Sequence, residues 1–249
     1  MAPGQISHQT SGQASPGKQV AGNLVAFPRT DLRRQIGAAL RRHRLPEILA
    51  DALVREACGL AGVSAQEALA RALAGRLMPA PIDLEKAQGI LLVGPVGSGK
   101  SAVAAKILHA AALAGRSTNI ACADGLAPFR SKSNPPELLT VMEADGFNPL
   151  NPRAVSAFSA LGDIDGVETI GVVSALNDAE DVGDIVNRFR FRRVIVTGLD
   201  RTRRLGAALA ASLSGARLAH VTYGPRPEDG LEPLEPHALA AQLLAVSPN

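Results

Sequence analysis

The chain of 249 residues has 26 basic and 23 acidic side chains, 46% hydrophobic residues and only 3% aromatic residues. The hydrophobic share excludes a wholly disordered chain. No uncharged apolar run approaches the roughly 20 residues that a membrane-spanning helix needs. The net charge of +3 is too small to indicate a nucleic-acid partner.

The two cysteines give a first indication of the compartment. Cys58 and Cys122 lie far apart and have no histidine at metal-ligand spacing, which predicts two buried thiols rather than a disulfide or a zinc site. The first residues also lack the basic start and apolar core of a secretory signal. We therefore expect a cytoplasmic protein.

The chain divides into three regions. Residues 1–28 are rich in Gly, Ser, Gln and Pro without a sustained period, which predicts a disordered arm. Residues 29–80 show three helical patterns, expected to form a small helical N domain. Thr30 is predicted to cap the first helix, Pro46 to open the second, and Ser64 with Glu67 to form a capping box on the third.

Residues 81–249 alternate short apolar runs with helical segments. Helices are predicted after Lys100, Pro152, Asp178, Thr202 and Pro236, and the candidate strands are Ile90–Val93, Thr118–Cys122, Leu138–Met142, Thr169–Ser174, Val194–Thr197 and Leu218–Thr222. Continuously apolar strands that alternate with helices are typical of a doubly wound, mainly parallel α/β sheet. The predicted fold is this nucleotide-binding sheet domain preceded by the helical bundle.

One motif carries the chemistry, and it reads Gly94-Pro95-Val96-Gly97-Ser98-Gly99-Lys100-Ser101. It fits G-x-x-x-x-G-K-[ST], follows an apolar run and opens a helix, which is the context of a P-loop. Glycines let backbone N–H groups converge on phosphate oxygens at a helix N-terminus. Lys100 is expected to contact the β- and γ-phosphates and Ser101 to ligate Mg²⁺. The alternative, a glycine-rich turn with an incidental lysine, does not explain the flanking strand and helix.

The P-loop and two later segments resemble the GTPases of the signal-recognition-particle (SRP) and FlhF type. The loop continues through Ala102 to Lys106. Residues 194–209 are similar to the T-K-x-D guanine motif with its glycine-rich loop, and residues 221–231 are similar to the segment near base and ribose. The resemblance implies bound GTP or GDP with Mg²⁺. Beyond the P-loop it places nucleotide contacts at Ala102, Lys106, Gly146, Thr197, Asp200 and Gly224.

The resemblance is weak between these segments. Asp124 matches the acid of the family's D-T-x-R motif, but Ala127 stands where the arginine belongs, and Arg130 comes three residues later. Glu143 and Gly146 keep the acid and the glycine of D-T-A-G-R. Only about 20 residues separate the two acids, so a strand–helix portion looks missing by comparison with the family. The candidate catalytic residues are Lys100, Asp124 and Glu143, and slow GTP hydrolysis is expected.

The resemblance also implies a process and partners. They are protein targeting or flagellar and cell-pole placement, a homo- or heterodimer of related G domains, and peripheral contact with the inner face of the cell membrane through the N domain. Two alternatives stay open: an interaction module that kept the nucleotide site without turnover, and an ATP-binding protein. The second arises because Gly198 replaces the lysine of T-K-x-D.

Two arginine-rich segments have competing interpretations. Residues 188–193 (RFRFRR) alternate basic and aromatic residues, as a base-stacking surface does. A helix C-terminus with its phenylalanines packed inside is the favoured interpretation. The first helix carries arginines that suit either anionic lipid headgroups or solvent, and solvent is favoured.

Overall fold

The structure, a computed structural model, describes residues 29–60, 62–122, 137–161 and 164–245. The predicted disordered arm at 1–28 lies outside these residues, as do Asp124, Ala127 and Arg130. Within the described ranges, every helix is too short or too polar to cross a bilayer.

Three helices come first in the chain: α1 (Arg29–Arg42), α2 (Glu47–Gly59) and α3 (Ala65–Arg76). Helix α1 begins one residue before Thr30, so the predicted cap is wrong and Thr30 lies in the first turn. Pro46 directly precedes α2 as predicted. The Ser64 hydroxyl accepts a hydrogen bond from the Glu67 N–H at 3.2 Å, which satisfies one orphan donor at the start of α3.

Six parallel strands form one sheet in the order β2-β3-β1-β4-β5-β6. The strands are β1 (Gly89–Val93), β2 (Ser117–Cys122), β3 (Leu138–Glu143), β4 (Val167–Ser174), β5 (Arg193–Thr197) and β6 (Arg217–Val221). The remaining helices are α4 (Lys100–Leu113), α5 (Pro152–Leu161), α6 (Ala179–Phe189), α7 (Gly206–Leu213) and α8 (Pro236–Leu244). The doubly wound α/β prediction is confirmed. A short 3₁₀ turn, Leu199–Arg201, delays the helix expected after Thr202 until Gly206.

Apolar side chains cover both faces of the sheet. On β1, Leu91 and Val93 point into one cluster, which includes helices α1–α3 and α6–α8, while Ile90 and Leu92 point into the other, which includes α4. This two-sided burial explains why the strands are continuously apolar. Cys58, predicted to be buried, is only half-buried on α2.

Helix α8 joins the N-terminal helices. It packs against α3 and α1 and buries Leu239, Ala240 and Leu243 in the shared core. His43 links this bundle to the sheet domain: its Nδ1 accepts from the Leu205 N–H at 3.2 Å, and its Nε2 lies 3.2 Å from the Leu243 carbonyl. Burial lowers the pKa of His43. The domain boundary near residue 80 stays a prediction.

Candidate functional site

The loop between β1 and α4 has the backbone geometry that its glycines predict. Gly97 and Gly99 adopt φ angles of +76° and +93°, where a side chain is strained. A Cβ at Gly94 would lie 2.2 Å from the Val172 carbonyl oxygen. The motif glycines are therefore required by this backbone, and the loop ends at the N-terminus of α4, where backbone N–H groups favour an anion.

Lys100 lies over the mouth of this loop. Its Nζ donates to the carbonyl oxygens of Gly94 and Pro95 at 3.0 and 3.1 Å. Burial lowers the pKa of Lys100, and the Glu143 and Asp145 carboxylates oppose that shift. The ammonium is thus held at the loop by two backbone carbonyls, with two carboxylates nearby that favour its charged form.

Ser101 and Glu143 meet at the carboxyl ends of two adjacent strands. The Ser101 hydroxyl donates to Glu143 Oε2 at 2.7 Å. Glu143 is the last residue of β3, which pairs directly with the P-loop strand β1. A hydroxyl and a carboxylate form the oxygen set that suits Mg²⁺, which typically takes one or two protein ligands and keeps several waters. These two residues therefore fit the predicted metal.

The chain just after β3 packs against the P-loop. The Val96 N–H donates to the Phe147 carbonyl at 3.4 Å. A Cβ at Gly146 would lie 2.8 Å from Val96 Cγ2, so only a glycine allows this approach. Gly146 and Val96, two of the predicted nucleotide contacts, thus lie against each other, and 78% of the Val96 side chain is exposed.

Strand β5 supplies the next part of the site. The Thr197 hydroxyl donates to the Ser98 carbonyl at 2.6 Å, so it fixes the P-loop to the end of β5. Gly198 has a φ of +73°, and its N–H donates to the Thr222 hydroxyl at 3.2 Å. The left-handed backbone explains why glycine stands where the family motif has lysine. Asp200 follows on the 3₁₀ turn and is exposed.

Lys106 and Gly224 lie farther along the same side. Lys106 is only 1% exposed, and its Nζ donates to the Arg226 carbonyl. It thus ties α4 to the 3₁₀ turn Pro227–Asp229. Gly224, at φ +67°, has no room for a Cβ because that atom would lie 2.3 Å from Asp229 Oδ2. Ala102 is exposed on the first turn of α4.

Sequence reasoning includes Ser98 as part of the P-loop but misses Thr222. The Ser98 hydroxyl is buried without a hydrogen-bond partner in the part of the chain that the structure describes. The Thr222 hydroxyl accepts from Gly198, at the end of β6. A threonine directly after a strand was the available signal for Thr222. No cluster of three metal-ligating side chains occurs in the described residues.

Comparisons with known proteins were made by sequence and by structure. No family model matches the chain, and no curated protein sequence is detectably similar. The structure is similar to FlhF complexed with GTP and Mg²⁺, at 17% identity and a TM-score of 0.64, over 86% of this chain and 99% of that one.

Two further solved structures are similar to this chain. The cell division protein FtsY of Thermotoga maritima shares 16% identity at a TM-score of 0.66, over 86% of this chain and 88% of that one. The 54 kDa SRP protein of Aeropyrum pernix K1, in complex with GDP, shares 21% identity at a TM-score of 0.61, over 87% of this chain and 62% of that one. The chain therefore has the fold of the SRP/FlhF-type P-loop GTPases.

Proposed function

We propose that the protein binds guanine nucleotide with Mg²⁺ at the P-loop and hydrolyses GTP slowly. The observation that carries this proposal is the Ser101–Glu143 hydrogen bond of 2.7 Å, next to a lysine held by the P-loop carbonyls. Similar structures contain GTP or GMPPNP with Mg²⁺, or GDP, which supports the same ligands here.

The phosphates would be held mainly by backbone. The N–H groups at the N-terminus of α4 would receive the phosphate oxygens, and Lys100 would add a cation beside them. Ser101 and Glu143 would hold Mg²⁺, directly or through water. A bound Mg²⁺ held there would neutralise part of the phosphate charge.

Base recognition is assigned to the turn after β5. Asp200 can accept hydrogen bonds from the N1 and N2 groups of guanine, whereas adenine would leave that carboxylate unpaired. Gly198 offers no aliphatic stem to cover the base. We therefore expect a preference for guanine that depends chiefly on Asp200.

For GTP hydrolysis, this chain retains fewer of the family's motif residues than it does for nucleotide binding. Phosphoryl transfer depends on positioning and charge stabilisation. Asp124 remains the candidate catalytic acid of 123–136, but Ala127 stands at the family arginine. A related G domain, in a homo- or heterodimer, would then supply the missing group. The process we propose is protein targeting or flagellar and cell-pole placement, with peripheral membrane contact through the N domain.

Binding is tested with Lys100→Ala. We expect GTP affinity to fall at least about tenfold, because the cation at the phosphates is removed. Lys86→Ala, which changes an exposed lysine paired with Asp83, is the matched control. Equal GTP affinity in wild type and a folded Lys100→Ala protein would contradict the P-loop assignment, and tighter binding of ATP than GTP would contradict the guanine assignment.

Turnover is tested by phosphate release across a range of protein concentrations. Slow release that accelerates with concentration or with an added partner domain supports a group supplied in trans. Fast release that scales linearly with concentration and survives Arg130→Ala would show a complete site within one chain. No release under any condition would identify a nucleotide-binding interaction module instead.

A further inference from the structure

A second cavity opens at the opposite end of the sheet from the P-loop. It has a volume of about 1570 Å³ and is lined by the amino ends of four strands, which start at Gly89, Val167, Arg193 and Arg217. Because all six strands are parallel, these ends lie a full strand length from the nucleotide site. We call this cavity the arginine groove.

Basic side chains dominate the arginine groove. Among the described residues, its lining contains one acidic residue, Glu168, and six basic ones: Lys86, Arg188, Arg190, Arg192, Arg193 and Arg217. Glu168 forms an ion pair with Arg193 at 2.7 Å. Lys86 and Arg188 pair with Asp83 and Asp184, which lie outside the lining. The excess positive charge of the groove therefore depends chiefly on Arg190 and Arg217.

Two of these arginines are exposed and have no acidic partner among the described residues: Arg190 and Arg217. Arg190 also follows α6 in the left-handed conformation, with a φ of +51°. Glycine is the usual residue at such a helix end, and a non-glycine residue there costs roughly 1 kcal/mol. Arg190 thus places a guanidinium without an acidic partner among the described residues at the groove, in a backbone conformation that favours glycine.

The floor of the arginine groove is apolar. Phe189 and Phe191 are 2% and 4% exposed, and Phe158 packs edge-on against both rings. The faces of Phe189 and Phe191 are therefore closed to stacking bases, which single-stranded nucleic acid would need, and also to a bound side chain. The apolar surface that stays open in the lining belongs to Val155 and Phe158, which are half-buried, and to Met78, which is 57% exposed. An apolar floor with a charged rim is instead the arrangement of protein–protein interfaces.

The dimensions of the groove also restrict its occupant. Its volume exceeds the roughly 300–1,000 Å³ of small-molecule pockets. Four strand ends at a spacing of about 4.8 Å span roughly 14 Å, which matches about four extended residues. A concave surface does not fit a flat bilayer.

We propose that the arginine groove binds an acidic, partly apolar peptide segment of a partner protein. Guanidinium groups at the rim would pair with Asp or Glu side chains in the bidentate geometry that arginine favours, while apolar side chains of the segment would contact the open surfaces of Met78, Val155 and Phe158. The groove is remote from the P-loop, so this binding does not require nucleotide and does not depend on the proposed GTP binding.

The test is a selection from a displayed library of random ten-residue peptides on the full chain, at physiological salt. Selected peptides are then synthesised with a fluorophore and their affinity is measured by anisotropy. We expect enrichment in Asp and Glu interspersed with apolar residues. The triple variant Arg188→Gln, Arg190→Gln, Arg217→Gln should weaken their binding about tenfold or more.

The matched control removes three exposed charges from the helical bundle: Arg33→Gln, Arg41→Gln and Arg55→Gln. It should change affinity less than about twofold, since those charges are screened from the groove. Lys100→Ala should bind the peptides unchanged, even if nucleotide binding is lost.

Three results would overturn the proposal. The first is that the selected peptides are not enriched in acidic residues. The second is that the control triple variant weakens peptide binding as much as the groove triple variant does. The third is that poly(U) RNA binds more tightly than any selected peptide and that its binding is weakened by the same groove arginine substitutions. The last result would assign the groove to nucleic acid.

Discussion

The two ends of the parallel sheet use different chemistry to attract negative charge. At the carboxyl end, the P-loop relies on backbone geometry, with glycines at +76° and +93° and a single lysine. At the amino end, the arginine groove relies on long side chains over an apolar floor. The difference shows that the first end is built for one compact anion in a fixed place. The amino end suits an extended ligand whose negative charges can pair with arginines at several positions.

The two ends also differ in how tightly they are packed. Gly94 lies against the Val172 carbonyl without room for a methyl group, while Gly215 in the groove lining has open space around its Cα. Substitutions at the carboxyl end should therefore disturb the fold and binding together. Substitutions at the amino end should change ligand binding and the stability of the fold independently of each other.

The largest expected effect is that of Gly94→Ala. A Cβ 2.2 Å from a backbone oxygen forces β1 and β4 apart, and we expect the free energy of unfolding to fall by about 3 kcal/mol. Gly115→Ala is the control, because Gly115 has a φ of +77° but open space around it, so it should lose only about 1 kcal/mol. Urea unfolding of both variants measures the difference. Equal losses would show that the contact with the Val172 carbonyl costs no more than the strain of a left-handed alanine, and so does not by itself require glycine at position 94.

Acid pH should weaken the sheet near its β6 edge. Burial, together with the Arg193 guanidinium, lowers the pKa of His220 to about 4. Since the folded pKa lies below the unfolded value of about 6.5, stability present above pH 6.5 is lost as the pH falls toward 4. We expect about 2 kcal/mol of loss between about pH 7 and pH 5.

The variant His220→Gln should remove most of this slope, which urea unfolding at both pH values would measure. His43 also has a pKa lowered by burial, so it contributes a slope of the same sign that remains in His220→Gln. His109→Gln on α4 is the control. An unchanged slope in His220→Gln would locate the acid sensitivity elsewhere.

Base choice should change with Asp200→Asn. The amide presents a donor toward guanine N1–H, so we expect GTP affinity to fall about tenfold, or about 1.4 kcal/mol, while XTP binding improves. Asp181→Asn, an exposed acid on α6, is the matched control. Competition binding with GTP, ATP and XTP measures the effect. A variant that keeps its GTP preference would refute the assignment of the turn after β5 to the base.

The smallest effect should be a gain. Arg190→Gly relieves a left-handed arginine, and we expect the protein to become about 1 kcal/mol more stable. Arg44→Gly, the other positive-φ arginine among the described residues, should give a similar gain. Only Arg190→Gly should weaken binding of the selected acidic peptides. If both variants bind peptide alike, the charge of Arg190 has no part in the groove.

Local patterns predicted the carboxyl end well. The motif G-x-x-x-x-G-K-S requires a strand, a tight loop and a helix in that order, so the P-loop geometry follows from eight residues. The pairing of Ser101 with Glu143 was harder, because it depends on β3 lying beside β1 across the sequence. An aligned family acid identified Glu143, but the contact itself required the sheet order.

The amino end could not be predicted in the same way. The segment 188–193 was correctly interpreted as a helix end with its phenylalanines inside. The groove, however, combines that segment with Lys86 and Arg217 from distant parts of the sequence. A local sequence pattern cannot predict that such distant residues lie together. Likewise, the packing of α8 on the N-terminal helices is visible only in the tertiary contacts. The sequence pattern of a helix shows that it has an apolar face but does not predict which element covers that face.

The position of α8 has a consequence for how the protein is made. Helices α1 and α3 are synthesised early, yet the faces that Leu239 and Leu243 cover stay open until residues 236–244 have left the ribosome. The sheet domain therefore begins to form while the bundle ahead of it is still incomplete. Chains whose synthesis stops before α8 would expose this apolar surface to chaperones and proteases. Only a chain synthesised through residue 244 can cover the surface and so avoid degradation.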